Sequence, residues 1–214
     1  MASPSDNDTH VQFTLPGDPP VYLTRWSTSD ADRLYAVLST DKSIHEGTLR
    51  TPWPYTRSHA EVFLTNASRP GTTKFAIRIG SPTAPVVGSL GYAVTALPSG
   101  PGDQSSLGDG EAHDPPPVWV EWEIGYWLAT EARGHGIVPR AIAALQATAT
   151  ADPTVARVQI HCSPRNVASA RVAIKAGFAF QGTIRNATSK GGKLMDVSWY
   201  EWIPPHALPS SSSS

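Results

Sequence analysis

Val118-Trp-Val-Glu-Trp-Glu-Ile-Gly-Tyr-Trp-Leu-Ala129, followed three residues later by Arg133-Gly-His-Gly-Ile-Val-Pro139, decides the fold. In the first stretch Val120, Trp122, Ile124, Tyr126 and Leu128 fall on one face, and Trp119, Glu121, Glu123 and Trp127 on the other. A period of two over this length is a long strand. The second stretch is a glycine turn that leads into a helix expected from about Pro139 to Thr150, with Pro139 at the first helical position, where its missing N–H is not needed. A strand, a glycine loop and a helix in succession leave unpaired backbone N–H groups at the helix N-terminus, a receptor for a phosphate or pyrophosphate. Glycines let the backbone come close to such an anion. On its own a two-glycine loop is also simply a turn. It is not a dinucleotide fingerprint, because the third glycine and the acidic residue ending the next strand are missing. It is not a Walker loop either, because Gly-Lys-Ser/Thr is absent.

Further along, Val158, Ile160 and Cys162 alternate as another strand. Asn166 precedes a helix carrying Val167, Ala170 and Ile174 at helical spacing, and Gly177 ends it as a C′ glycine. Phe178, Phe180, Val197, Trp199 and Tyr200 close the domain as strands. Toward the N-terminus, Val21–Trp26 reads as a strand, Ser27 and Asp30 as a helix cap, and Leu34, Val37 and Leu38 as a helical stripe. Ser58 and Glu61 repeat the capping signature, and Phe75, Ile77 and Ile79 alternate as a strand, hairpin-paired with Val86–Thr95. The order predicts an α+β, or mixed α/β, domain around a largely antiparallel sheet.

The 214 residues, 40% hydrophobic, include seven Trp, six Tyr and five Phe, enough to fill one core. The chain divides into a polar, disordered segment over 1–19, a domain over 20–204 and a disordered Ser-rich tail over 205–214, with a Pro/Gly-rich inserted loop at 97–117. A net charge of −1 and a pI of about 6.6 exclude a general basic field, so no nucleic-acid partner is expected. A single cysteine, Cys162, excludes a disulfide framework, and the histidines show no ligand spacing, so no metal is expected. No apolar run is long enough to span a membrane, and the N-terminus lacks secretory signal features, which predicts a cytoplasmic protein, monomeric or homodimeric.

Three blocks in order are similar to the GNAT superfamily of acyl-CoA N-acyltransferases, in particular its RimJ/RimL-type branch. They are Glu123 to Leu128; Arg133, Gly136 and Val138; and Asn166, Ser169, Lys175, Gly177, Phe178 and Gly182. Pro52 to Tyr55 resembles the family's substrate-side loop, and Lys193, Asp196 and Tyr200 its last strand. The likeness covers about 21–203. Departures are Val138, where the loop usually has Gly or Ala, and the 97–117 insertion.

The resemblance implies a GNAT fold, a central, mostly antiparallel sheet with a splayed strand pair and helices on both faces. It implies acetyl-CoA as co-substrate, without metal, and a primary amine, small-molecule or peptide, as acceptor. Direct attack would occur in a ternary complex. The cofactor site would use the backbone of Arg133, Gly134, His135, Gly136, Ile137 and Val138 for the pyrophosphate. Trp127, Leu128 and Ala129 would pair with the pantetheine arm, and Leu128 N–H would hold the oxyanion. Asn166 would bond the pantetheine amide, or serve as a helix N-cap, roles that do not exclude each other. A non-catalytic acyl-CoA-binding module is the alternative, favoured by Ala173, where many members carry a Tyr, and by Val138.

Glu123 is the candidate base, with burial and repulsion from Glu121 expected to raise a carboxyl pKa toward neutrality. The alternative for both is a solvated strand edge, and Glu121 is assigned to it. Ser169 is read either as a hydrogen-bond donor or proton relay to the thiolate, or as a helix-surface hydroxyl bonded to its own helix. Tyr126 is assigned to the core, Cys162 to a buried inert thiol, and His161 to either the acceptor site or the sheet. Trp53, Tyr55, Trp119 and Trp127 are candidates for an acceptor wall with an acidic floor, with core the alternative for Trp53.

Overall fold

A computed structural model describes residues 11–98 and 118–208. Eight strands form one sheet: β1 (Val11–Leu15), β2 (Val21–Thr24), β3 (Lys74–Ile79), β4 (Gly88–Ala96), β5 (Val120–Leu128), β6 (Val155–Cys162), β7 (Ala179–Lys190) and β8 (Lys193–Trp202). Their spatial order is β1-β2-β3-β4-β5-β6-β8-β7. Every neighbouring pair is antiparallel except β5 and β6, which run parallel. That single parallel pair needs a crossover, and α4 (Ile137–Ala151) supplies it. The expected mixed, mostly antiparallel architecture is the one observed.

Helices cover both faces. Trp122 and Ile124 of β5 join Ile137, Ala141, Ile142 and Leu145 of α4 in the larger core. On the opposite face, α1 (Ala31–Thr40), α2 (Lys42–Gly47) and α3 (Arg57–Ala67) pack Leu34, Leu38, Ile44 and Leu64 over Ala76 and Trp127. The two-residue period of β5 therefore sends Trp122 and Trp127 into different cores, as its alternation predicts. Among the described residues no helix is long and apolar enough to cross a membrane.

Several expectations are corrected. Val11–Leu15, assigned to a disordered segment, pairs with β2 as an edge strand, with Leu15 buried. Residues 1–10, most of the 97–117 loop (99–117) and the end of the tail (209–214) lie outside the described residues, and Pro205–Ala207 makes one 3₁₀ turn. Ser27 and Asp30 do form a reciprocal cap, but on the 3₁₀ turn leading into α1. Thr56 and His59, not Ser58 and Glu61, cap α3. Helix α4 begins at Ile137, so Pro139 stands at its third position, still within the turn that lacks intrahelical N–H partners. On α5 (Val167–Lys175), Val167 and Ile174 are 56% and 61% exposed, while Ser169 and Ala173 are buried. The small pair at i and i+4 lets α5 approach the sheet closely, and the larger apolar residues turn outward.

Candidate active site

The β5–β6 ladder ends at Ile124↔Ile160, while β4 follows β5 to Gly88↔Leu128. Residues Gly125 to Leu128 thus lose their partner on the β6 side, and the sheet opens into a wedge. Val120 N–H donates to Thr154 O on the β6 side, and Ala129 N–H to Val87 O on the β4 side. Backbone groups alternate along a strand, so the N–H groups of Tyr126 and Leu128 face the wedge. Those of Trp127 and Ala129 face β4. The expectation that Trp127, Leu128 and Ala129 all offer backbone pairing is corrected accordingly: only Leu128 does, joined by Tyr126.

One side of the wedge opens onto a cavity of about 480 Å³ lined by Ser43, Ile44, Leu128, Arg133, Gly134, Gly136, Arg171 and Lys175, among others. Gly134 and Gly136 have φ of 82° and 67°, a region closed to most side chains, and a Cβ there would meet open space. Their backbone is bare toward the cavity. Ile137 and Val138 bury their side chains in the core, so only their backbone is free to meet a ligand. His135 is exposed and does not line the cavity. Arg133 is a staple: its guanidinium donates to Leu128 O at 3.0 Å, Ser43 Oγ at 2.9 Å and Asp41 Oδ2 at 2.7 Å. Burial pushes the Asp41 carboxyl up, but bonds from Ser43 and Thr130 and the Arg133 charge outweigh it and hold it below the usual range. Arg171 and Lys175, one helical turn apart, also line it; in the sequence Lys175 enters only as part of the family pattern, and neither residue is given a role. Their cationic side chains at i and i+4 were the available signal.

On the other side lies a larger cavity of about 550 Å³, enclosed by the 47–52 loop, Tyr55, α3, Lys74, β4 and the open end of β5. Glu123 stands on its wall. Arg50 Nη2 donates to its two oxygens at 3.2 and 3.3 Å, and His161 Nδ1 lies 3.6 Å from Oε2. Contact with His161, then the charge and hydrogen bond of Arg50, hold the carboxyl below its ordinary value of 4.5 although burial pushes the other way. The expected rise toward neutrality is therefore corrected. Its second cause is missing too, because Glu121 turns away to accept from Arg157 at 2.9 and 2.7 Å and from Gln159 at 3.2 Å. His161 joins the cavity, while Trp53 and Trp119, 36% and 40% exposed, stand outside its lining. Tyr55 and Trp127 do line it, so the expected aromatic wall is half assembled, and its acidic floor is one carboxylate.

The two cavities share Gly47, Thr48, Tyr126, Trp127, Asn166 and Ser169. Asn166 is an N-cap, its Oδ1 accepting from Ser169 N–H at 3.0 Å, and its Nδ2 donates to Gly47 O at 2.7 Å. It thereby ties α5 to the end of α2 at the partition. Ser169 is 8% exposed, and its Oγ lies 2.8 Å from the Tyr126 hydroxyl. It is neither a surface hydroxyl nor bonded to its own helix. Burial pushes the Tyr126 phenol up to about 12 and raises the Cys162 thiol beside Ser169. Tyr126 does lie on the core face, as its period requires, but that face is uncovered where β6 diverges. Periodicity carries no signal of the divergence.

Residues 21–179 match the family model described as an acetyltransferase (GNAT) domain. The chain belongs to the GNAT acetyltransferase family. It is 33% identical over 81 residues to the ribosomal-protein-serine acetyltransferase of Escherichia coli (strain K12), a match covering 38% of this chain and 45% of that relative. The chain thus spans less than half the length of that curated relative. Among solved structures, the microcin C7 self-immunity acetyltransferase MccE in complex with acetyl-CoA and AMP superposes with a TM-score of 0.64 at 18% identity, over 87% of this chain and 93% of that one. RimL, the ribosomal L7/L12 α-N-protein acetyltransferase in complex with coenzyme A, gives 0.65 at 20% identity, over 92% and 100%. At these identities the structural likeness is one of fold.

Proposed function

We propose that this GNAT domain transfers an acetyl group from acetyl-CoA to a primary amine by direct attack in a ternary complex. The observation that carries the reading is the wedge itself. Two N–H groups face the wedge, that of Tyr126 where the two cavities meet and that of Leu128 on the cavity led by the glycine-rich helix start, while a carboxylate walls the other cavity. Acetyl-CoA supplies an activated thioester. Chain residues supply the rest. Backbone amides of Gly134 to Val138 bind the pyrophosphate. Arg171 and Lys175 add positive charge on the same cavity. Leu128 N–H donates to the oxygen on which charge develops.

Glu123, ionised at neutral pH, orients the acceptor amine and with His161 takes up its proton, directly or through water. Ser169 Oγ stabilises the departing thiolate. Tyr126, which keeps its proton at neutral pH, donates to Ser169 and so fills the place that Ala173 leaves vacant. Asn166 positions the partition between the cavities. The ribosomal-protein acetyltransferases among the relatives give a protein N-terminus as one acceptor class, and a small-molecule amine is the other.

The test is stabilisation by CoA and acetyl-CoA against NAD and ATP, followed by thiol release in the presence of amines. A ligand that binds only the folded state at about 100 times its Kd adds about 2.7 kcal/mol. Absence of stabilisation by both CoA species overturns the reading. Stabilisation by CoA without thiol release for any amine leaves the non-catalytic acyl-CoA module as the function.

A further inference from the structure

The larger cavity has a floor that no backbone requirement explains. Three strands align there: Lys74 of β3 pairs with Gly91 of β4, and Gly91 with Gly125 of β5. Residues in register across a sheet point to the same face, so Lys74, Gly91 and Gly125 form one row. Gly91 is needed for packing, because a Cβ there would stand 2.7 Å from Thr73 O and 3.3 Å from Lys74 Cγ. Gly125 is different. It has no positive φ, and a Cβ there would meet nothing within 4 Å. A glycine inside a strand weakens it, and its positional meaning is a bulge, a bend or a close approach by something else. The β4–β5 register runs unbroken through Gly125, so no bulge on that side accounts for it, and the open space above it leaves room for a close approach.

The row has a charge at each side. Glu123, two residues from Gly125 on the same face, is already occupied by Arg50 and His161. Lys74 lines the cavity at the other end, its ammonium 5.5 Å from the centre of the Phe63 ring, and among the described residues it has no carboxylate within ion-pair distance. Of the fixed charges on this cavity, Arg50 and Lys74 are positive and Glu123 alone is negative. A polycationic acceptor would meet a surplus of its own sign.

Resting on the acetyl-transfer reading, we infer that the trough over Gly125 and Gly91 holds an acceptor whose amine lies at the Glu123 end and whose carboxylate lies at Lys74. Lys74 and Glu123 lie two strand spacings apart across the sheet and two residues apart along it, about 12 Å between backbones. That is the length of about three to four extended residues. The substrate class is therefore a short peptide-like amine with a free carboxylate, and polyamines are excluded.

The experiment compares tri-alanine with its C-terminal amide as acceptors, with acetyl-CoA saturating and CoA release as readout. The acid is expected to exceed the amide in kcat/KM by about fivefold, the upper range of an exposed ion pair. In Lys74→Glu that ratio should invert, through KM and not kcat. Gly125→Val, a good strand former with room for its side chain, should raise KM for both peptides and leave the CoA thermal shift intact. Equal use of the two peptides, a ratio unmoved by Lys74→Glu, or thiol release from neither peptide in a protein that CoA stabilises would each overturn the assignment. Loss of stabilisation by CoA in the unmodified protein would instead sink the acetyl-transfer reading beneath it.

Discussion

The two cavities that meet at Tyr126 are built on different plans. The smaller takes about half of its lining from one stretch, the end of β5 to the start of α4, whose glycines expose backbone, and the rest from the α2 segment and α5. The larger is made of side chains drawn from α1, the 47–52 loop, α3, β3, β4, β5 and β6. A backbone-built cavity tolerates most side-chain changes and is vulnerable to changes in φ. A side-chain cavity is the reverse. That contrast gives each half its own way to fail.

The largest expected effect is on the side-chain half. Glu123→Gln should lower kcat by about 10²- to 10⁴-fold, with partial recovery at high pH where the amine deprotonates unaided. The CoA thermal shift should stay unchanged. Loss of CoA binding in this variant would break the separation between the cavities. At the shared wall, Tyr126→Phe should lower kcat by about tenfold and leave the buried Ser169 hydroxyl without its partner. With Ser169→Ala the two losses should not add, because both remove one hydrogen bond. Strict additivity in steady-state rates would show that they act apart.

On the backbone half, Gly136→Ala places a Cβ at a φ of 67°. A left-handed residue costs about 1–2 kcal/mol, so CoA should bind roughly ten times more weakly, in titration calorimetry, if the loop relaxes to escape it. Amine KM should not move. The smallest effect is on stability. The folded Glu123 carboxyl lies below its ordinary 4.5, so its contribution is present above that value and lost as pH falls through the folded one. The difference in unfolding midpoint between the natural chain and Glu123→Gln should be flat from about pH 6 to 8 and shrink below about pH 4.5. A difference that instead changes between pH 6 and 8 would return Glu123 to the raised range.

The same contrast explains what could be read in advance. The strand, glycine loop and helix are contiguous, so a period of two, two glycines and a proline suffice to place them. Asn166 as a cap and Gly177 as a terminator are equally local signals. The pairing of Glu123 with Arg50 and His161 joins three elements, and nothing in the sequence around any one of them reports the others. Tyr126 was assigned to the core by a correct argument about its face, because the termination of the β5–β6 ladder depends on where β6 and α5 diverge. The exposed Val167 and Ile174 show the limit of a helical stripe: spacing defines a face, and only the neighbouring element decides whether it looks inward.

One contact sets a timetable. Lys190, at the end of β7, donates to the carbonyl oxygens of His45 and Thr48, the latter at 2.6 Å, and Thr48 belongs to the wall shared by the two cavities. The partition is therefore laid down early in the chain and fastened by a residue more than 140 positions later. During synthesis from the N-terminus, the glycine loop and most of the sheet emerge before the fastening exists. A nascent or C-terminally shortened chain would carry the elements of both halves with the boundary between them unsecured. The boundary between the two cavities is thus secured only once the β7–β8 hairpin has been made.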